Sequence, residues 1–155
     1  MVESAFRMRR DLDAAISQPR WPSRYFCRTL LPVDAPDVHR LLRMAYAEGH
    51  GVPDFEEWWE KFSGDSEFDA SFCILVFGGD RVAGAALCWT SAFLKDLAVH
   101  PDARRLGLGE NLLQQVFRTF RAKGASAVDL KVETGNANAI RLYSRAGMYR
   151  VPYDG

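Results

Sequence analysis

The clearest candidate for a functional site in this 155-residue sequence is a glycine-rich turn between a strand-like stretch and a helix-like stretch. Leu97–Val99 ends the strand-like stretch, and Gly107 and Gly109 stand where an apolar helical periodicity begins. A helix N-terminus presents unpaired N–H groups and the positive end of the helix dipole, and glycines let a pyrophosphate come close to those groups. Arg104 and Arg105 add positive charge for further phosphates. The turn therefore predicts a phosphate site, although an ordinary glycine-rich turn with exposed arginines fits the pattern equally well.

The spacing of the glycines argues against two common classes of phosphate-binding site. The residues after Gly109 are Glu110, Asn111 and Leu112, so the third glycine of a dinucleotide-binding fingerprint is missing. The pattern GxxxxGK does not occur, which excludes a P-loop. A nicotinamide oxidoreductase is therefore only a distant alternative.

A second stretch, Leu130–Met148, contains further polar residues at defined spacing, among them Asn136, Tyr143 and Gly147. It contains the pattern Asn-x-x-Ala-x-x-Leu-Tyr-x-x-x-Gly, and the turn before it contains Arg-x-x-Gly-x-Gly. Together these two motifs resemble the signatures of the GNAT superfamily of acyl-CoA-dependent N-acetyltransferases. They occur in the strand–helix–strand–helix order of that family, and the resemblance covers roughly residues 24 to 151.

The resemblance implies acetyl-CoA as co-substrate and a set of residues that hold it. The backbone of the strand ending at Val99 would pair with the pantetheine arm like an added strand, and amides of the turn would bind the pyrophosphate. Asn136 would bond the end of the pantetheine or steady the splayed strands, and Tyr143 matches the tyrosine whose hydroxyl approaches the CoA sulfur. The residues implied for acetyl-CoA are Leu97, Ala98, Val99, Arg104, Arg105, Leu106, Gly107, Leu108, Gly109, Glu110, Asn136 and Tyr143.

The implied reaction is acetyl transfer to a primary amine by direct attack in a ternary complex. A neutral amine would attack the thioester carbonyl, and a backbone N–H of Leu97–Val99 would stabilise the oxyanion. Tyr143 would protonate the leaving thiolate, as a phenol with a pKa of about 10 can do. No cysteine suits an acyl-enzyme route, because Cys73 and Cys88 lie in core-like apolar runs.

The base that deprotonates the amine stays open among three candidates. In some relatives a carboxylate on the strand before the asparagine serves, but Lys131 stands at that position here. Glu133 lies two residues further along, on the same strand face, and Asp96 lies beside the pantetheine strand. A water relay is the third candidate, and each carboxylate also fits a solvated surface position.

The segment at residues 46–59 is acidic and aromatic, and in relatives of the family it lines the acceptor entrance. Its carboxylates, among them Glu48, Glu56 and Glu57, favour a cationic amine acceptor, although a solvated helix face above a Trp/Phe core stripe fits equally well. Relatives commonly add a strand after the position of Gly147, whereas only eight residues follow it here. We expect the N-terminal arm or a second subunit of a homodimer to complete the acceptor wall.

The elements that position these residues follow from the hydrophobic pattern. Helical periodicity predicts helices near 35–48, 54–63, 108–123 and 136–146. Apolar runs predict strands at 24–30, 71–77, 81–90, 92–99, 127–132 and 148–151. This order predicts an α/β fold with a GNAT-like mixed sheet: an antiparallel N-terminal half, a βαβ C-terminal half, helices on both faces and a short C-terminal end. Residues 1–20 are interpreted as an N-terminal arm or short helix before a single acetyltransferase domain at 21–155.

Composition limits the class of protein. The 20 Lys+Arg balance the 20 Asp+Glu, which removes the electrostatic footprint of a dedicated nucleic-acid binder. No apolar run is long enough for a membrane span, and no signal peptide is evident, so we expect a cytoplasmic protein without membrane or nucleic-acid partners. The scattered cysteines and histidines predict no metal site. Two alternatives remain: a CoA-binding sensor or interaction module without turnover, and a protein (N-terminal or lysine) acetyltransferase.

Overall fold

A computed structural model describes residues 4–46 and 51–152, and apart from one additional strand at the start, the strands and α-helices follow the predicted order. The strands are β1 (Ala5–Asp11), β2 (Tyr25–Thr29), β3 (Ile74–Gly78), β4 (Arg81–Trp89), β5 (Phe93–Val99), β6 (Ala127–Glu133) and β7 (Tyr149–Arg150). The α-helices are α1 (Ala35–Ala45), α2 (Phe55–Ser63), α3 (Leu108–Ala122) and α4 (Ala137–Arg145). No helix within the described ranges is long and apolar enough to cross a membrane.

All these strands join one seven-stranded sheet with the order β2-β3-β4-β5-β6-β1-β7. Neighbours from β2 to β5 are antiparallel, β5 and β6 are parallel, and β1 is antiparallel to both β6 and β7. Helix α3 connects β5 to β6, which is the predicted βαβ unit. The predicted mixed α/β architecture is therefore confirmed.

Helices cover both faces of the sheet. On one face α1 and α2 enclose a core that includes Leu42, Phe62 and Leu87. On the other face α3 and α4 cover a second core, in which Phe117 and Leu130 are buried. Burying one such side chain stabilises the fold by roughly 1.5–3 kcal/mol. These two cores fix the helices against the strands, as the helical stripes in the sequence predicted.

The N-terminal segment corrects the expectation of an arm or short helix over residues 1–20. Residues 5–11 form β1, which pairs with β6 over its whole length and with β7 at Met8 and Arg9. Phe6, Met8 and Arg10 lie on one face of β1. The period-two pattern of a strand is hard to recognise in the sequence because one of the buried residues on this face is an arginine. Its guanidinium donates to the carbonyl oxygens of residues 11, 15 and 146. No residue of β1 lines the cavity described below, so the completion of the acceptor wall by the N-terminal arm or by a second subunit of a homodimer remains a prediction.

Two local predictions also need correction. The strand predicted to begin at Ser71 begins at residue 74, because the Asp69 carboxylate accepts the Ser71 N–H at 2.9 Å and forms a 3-10 turn there. Asp54 is the N-cap residue of α2; its carboxylate makes no capping hydrogen bond within the described residues, and its carbonyl oxygen accepts the Trp58 N–H. Helix α1 ends at residue 45, and Glu48 lies outside the described residues.

Candidate active site

A cavity of about 760 Å³ opens where β5 and β6 separate. The two strands pair only at Phe93–Asp129 and Leu94–Leu130. Beyond that point the chain between Leu97 and Val99 keeps its pairing with β4 but has no partner from β6 among the described residues. Its peptide groups on the β6 side therefore face the cavity and are free to bind a ligand.

The cavity brings together most of the residues predicted for acetyl-CoA. Those that line it are Leu97, Ala98, Val99, Arg104, Gly109, Asn136 and Tyr143. The others do not line it but form the adjoining turn and the first turn of α3: Arg105, Leu106, Gly107, Leu108 and Glu110. The two sequence motifs thus meet at one place, because β5 leads into α3 and β6 leads into α4.

The turn before α3 has the geometry of an anion-binding helix start. Gly107 is the N-cap residue with φ = 77°, in the left-handed region that favours glycine. The backbone N–H and the side-chain amide of Asn111 both donate to the Gly107 carbonyl oxygen at 3.0 Å, which holds the turn in place. The N–H groups of residues 108–110 have no acceptor within the described part of the chain. They are therefore available to an anion.

Gly109 marks a close contact between α3 and its neighbours. A Cβ atom at this position would lie 3.3 Å from Leu142 Cδ2 and 3.8 Å from Val99 Cγ2. The start of α3 is therefore packed against both α4 and β5. A larger side chain here would press on Leu142 or project into the cavity.

Helix α4 brings a tyrosine into the cavity wall. Asn136 begins the helix as its N-cap, and its Oδ1 accepts the Ala139 N–H at 3.2 Å. Seven residues later, Tyr143 lines the cavity. Burial, with a contribution from the Asp96 charge, raises the pKa of Tyr143 to about 12. The phenol therefore stays protonated at neutral pH and can donate a proton.

A β-bulge in β5 directs two charged side chains to the face covered by α1 and α2. Leu87 of β4 pairs with Asp96, but the next residue, Cys88, pairs with Leu94, so Lys95 is the extra residue. Successive strand residues normally point to opposite faces. Here Asp96 contacts the end of α1 and Lys95 contacts α2, so both lie on the same face.

The Asp96 carboxylate is held by donors on both of its oxygens. Tyr46 Oη donates to Oδ1 at 2.5 Å, and Lys95 Nζ donates to Oδ2 at 2.8 Å. The Asp96 side chain is only 11% exposed. Burial and the neighbouring carboxylate raise the pKa of Tyr46 well above its ordinary value, so Tyr46 remains a hydrogen-bond donor.

The other predicted acidic groups are placed differently. Glu133 lines the cavity from β6 and is exposed, with no side-chain hydrogen bond or ion pair within the described residues. Lys131 is exposed beside it. Glu56 and Glu57 lie on the solvent side of α2 and do not line the cavity. The solvated-face explanation therefore fits these two better than a role at the acceptor entrance.

Sequence reasoning missed the pairing of Tyr46 with Asp96. Tyr46 stood in the acidic and aromatic segment, but nothing in its spacing connected it to a residue 50 positions later. The bulge at Lys95 also had no signal in the sequence, because a bulge is a property of the pairing between two strands.

Comparisons with known proteins identify the family. The Acetyltransferase (GNAT) family matches residues 35–148. The [ribosomal protein bS18]-alanine N-acetyltransferase of Escherichia coli K12 is 39% identical over 122 residues, covering 77% of each chain. The mycothiol acetyltransferase of Saccharopolyspora erythraea is 27% identical over 157 residues, covering 90% of this chain and 48% of the relative.

A solved structure agrees with the observed fold. The GCN5-related N-acetyltransferase from Sphaerobacter thermophilus superposes with a TM-score of 0.83 at 26% identity, covering 96% of this chain and 48% of that one. The present chain thus spans about half the length of this protein and of the mycothiol acetyltransferase. The resemblance carried by the two sequence motifs is confirmed, and the chain belongs to the Acetyltransferase (GNAT) family.

Proposed function

We propose that this chain transfers an acetyl group from acetyl-CoA to a primary amine, by direct attack of the amine in a ternary complex. The observation that carries the proposal is the opening between β5 and β6, which lies beside the first turn of α3 and has Tyr143 on its wall. Membership of an acetyltransferase family supports the reaction class. Of the two relatives described above, one is named mycothiol acetyltransferase and the other [ribosomal protein bS18]-alanine N-acetyltransferase.

The residues present fit acetyl-CoA. The unpaired side of Leu97–Val99 offers peptide groups to the amide-bearing pantetheine arm. The free N–H groups at the start of α3 suit the pyrophosphate, and Arg104 on the cavity wall adds positive charge. When bound, acetyl-CoA supplies the activated acyl group. The chain orients that group and gives it a backbone N–H on the Leu97–Val99 strand as an oxyanion donor.

Tyr143 is proposed as the general acid. Its pKa of about 12 keeps the phenol protonated, so it can give its proton to the departing thiolate. Three candidates remain for the proton that leaves the amine. These are Asp96, whose carboxylate is held by Tyr46 and Lys95 of the cavity wall, Glu133, which is exposed on that wall, and a water relay.

Binding of acetyl-CoA is the first test. Isothermal titration should give a micromolar dissociation constant for the wild type. In Gly109→Glu a carboxylate would stand beside the free N–H groups, and we expect affinity to fall at least about tenfold, the equivalent of about 1.4 kcal/mol. Ala122→Glu puts the same charge at the exposed opposite end of α3 and should bind like the wild type. Absence of binding by the wild type would refute the proposal.

Turnover is the second test. The protein is assayed with acetyl-CoA and a panel of primary amines that includes alkylamines, amino sugars, and peptides with a free N-terminal alanine or a lysine. Tyr143→Phe should lower kcat by about 10²–10⁴-fold, a much larger effect than its effect on the dissociation constant of acetyl-CoA. Binding of acetyl-CoA without turnover of any amine would instead favour a CoA-binding sensor or interaction module.

A further inference from the structure

Two residues of the cavity wall, Tyr46 and Lys95, hold the carboxylate of Asp96 between them. We propose that Asp96 binds the ammonium group of the acceptor, that Tyr46 positions this carboxylate, and that Lys95 competes with the acceptor for it. The acceptor would accordingly be a primary alkylamine that is cationic at neutral pH. This inference rests on the proposed function, because it concerns the second substrate of the same site.

The bulge in β5 explains why a carboxylate stands at this position. Without the extra residue, Lys95 and Asp96 would point to opposite faces of the sheet. With it, both point to the face opposite α3, immediately before the Leu97–Val99 backbone proposed to hold acetyl-CoA. Bulges often direct a side chain next to an active site. The carboxylate is therefore close to the strand where the acyl group would lie.

The surroundings of Asp96 leave one oxygen for a cation. Oδ1 accepts the hydroxyl of Tyr46, whose donor state is secured by burial. Oδ2 accepts only Lys95 Nζ within the described residues. A carboxylate that is 11% exposed needs a partner, since an unpaired buried charge is strongly unfavourable. Whichever cation approaches Oδ2 therefore gains a strong, charge-assisted hydrogen bond.

Lys95 shows what kind of cation the site accepts. Its Nζ lies 5.4 Å from the ring centroid of Phe62 and 5.9 Å from that of Trp89, in addition to its contact with Asp96. A carboxylate combined with aromatic rings is a typical binding environment for an alkylammonium group. Lysine itself carries a primary alkylamine. The chain's own side chain thus occupies a site that suits a cationic acceptor.

Lys95 is also able to leave that site. Its side chain is 31% exposed and lines the cavity, so the ammonium group can move into water. The exchange of one ammonium for another at Oδ2 keeps the charge balance. Competition by Lys95 therefore raises the KM for a cationic acceptor without blocking the site.

The test compares the KM of cationic and neutral amines in matched variants. The probes are 1,5-diaminopentane and n-butylamine, which are protonated at pH 7, and aniline, which is neutral at that pH. Asp96→Asn should raise the KM for the cationic amines about 10- to 100-fold, the equivalent of losing a hydrogen bond to a charged group. The KM for aniline should change far less than that for the cationic amines, and the dissociation constant of acetyl-CoA should stay close to that of the wild type. Tyr46→Phe should raise the cationic KM by a smaller factor.

Lys95→Met gives the most discriminating result, because the predicted change is an improvement that damage to the fold cannot imitate. This variant should lower the KM for the cationic amines several-fold and leave that for aniline unchanged, while Lys95→Arg should behave like the wild type. Lys61→Met removes an equal charge from the exposed face of α2 and serves as the control. An unchanged or higher cationic KM in Lys95→Met would overturn the competitor role.

The outcomes separate this inference from the proposed function. If no amine is turned over although acetyl-CoA binds, the proposed function fails, and titration with n-butylamine then tests Asp96 by binding alone. If amines are turned over but Asp96→Asn changes the KM of cationic and neutral amines equally, the inference fails while the proposed function stands. The inference also fails if n-butylamine binds to the wild type and to Asp96→Asn with the same affinity.

Discussion

Replacing Asp129 by asparagine is expected to weaken the attachment of the N-terminal strand β1 to the rest of the sheet. The Asp129 residue of β6 is 8% exposed. Its carboxylate accepts Arg7 Nε at 2.6 Å, Arg9 Nε at 2.8 Å and Arg9 Nη2 at 3.0 Å, and both arginines belong to β1. The side chains of Arg7 and Arg9 are 34% and 37% exposed, so water partly screens these ion pairs.

The magnitude follows from this partial exposure. A hydrogen bond to a charged group contributes about 1.5–3 kcal/mol when it is buried, and an exposed ion pair contributes about 0–1 kcal/mol. Asparagine keeps the shape of Asp129 and one acceptor oxygen but loses the charge. We therefore expect Asp129→Asn to reduce the free energy of unfolding by about 1–2 kcal/mol. For a chain of this size that lowers Tm by about 2–8 °C.

The pH dependence of this difference provides a second readout. Burial by itself raises the pKa of Asp129, but the hydrogen bonds and charges of Arg9 and Arg7 outweigh it and leave the pKa below its usual range. A folded-state pKa below the unfolded value means that the stabilisation is present above the unfolded pKa of about 3.9 and is lost as the pH falls through the folded pKa. The difference in the free energy of unfolding between wild type and Asp129→Asn should therefore have its full value at pH 7 and decrease below about pH 4.

Urea unfolding at several pH values measures both quantities. Glu133→Gln is the matched control, since Glu133 is an exposed acid on the same strand and the same face. Its effect should stay within about 0.5 kcal/mol. Equal losses in the two variants at pH 7, or a gap for Asp129→Asn that persists unchanged in acid, would refute the reasoning.

Three further predictions concern other parts of the chain. Gly147→Ala should lower the free energy of unfolding in urea by about 1–3 kcal/mol, because φ is 97° and a Cβ would lie 2.9 Å from Arg10 Nε; a neutral result would contradict this. Cys73 and Cys88 should resist iodoacetamide at pH 8 in the native state but react after unfolding, which the mass of the intact protein can show. Burial is the reason, because it raises the pKa of Cys73 to about 11 and that of Cys88 well above its ordinary value. With a pKa of about 12, Tyr143 should stay protonated, so a pH–rate profile in which kcat falls around pH 10 would argue against its role as the acid.

The helices and most strands could be predicted because their signals are local. The buried stripe of α3 consists of residues three or four positions apart, such as Leu113, Val116, Phe117 and Phe120, and all of them are buried. The turn before α3 was equally readable, since its glycines, its arginines and the start of the helix lie within one short segment. Such patterns involve residues that are close together along the chain, so they can be recognised in the sequence alone.

The position of β1 could not be predicted in this way. Its arginines obscure the period-two pattern of a strand, and they make sense only beside Asp129, which lies more than a hundred positions away. The buried Arg10 likewise depends on the carbonyl oxygen of Ala146. A charged side chain is acceptable inside a sheet only when the fold brings a partner to it, and sequence spacing does not reveal that partner.

The sequence by itself thus determined the chemical groups of the site: the glycine-rich turn proposed to bind phosphate, the tyrosine of α4 and the family to which these motifs point. Only the tertiary structure decided which of the acidic residues pairs with Tyr46 of the cavity wall. It set Glu56 and Glu57 on the solvent side of α2 and, through the bulge at Lys95, directed Asp96 toward Tyr46. The physical reason is that residue types and short-range periodicity are properties of the chain, whereas strand register, bulges and charge pairing depend on which distant segments come into contact.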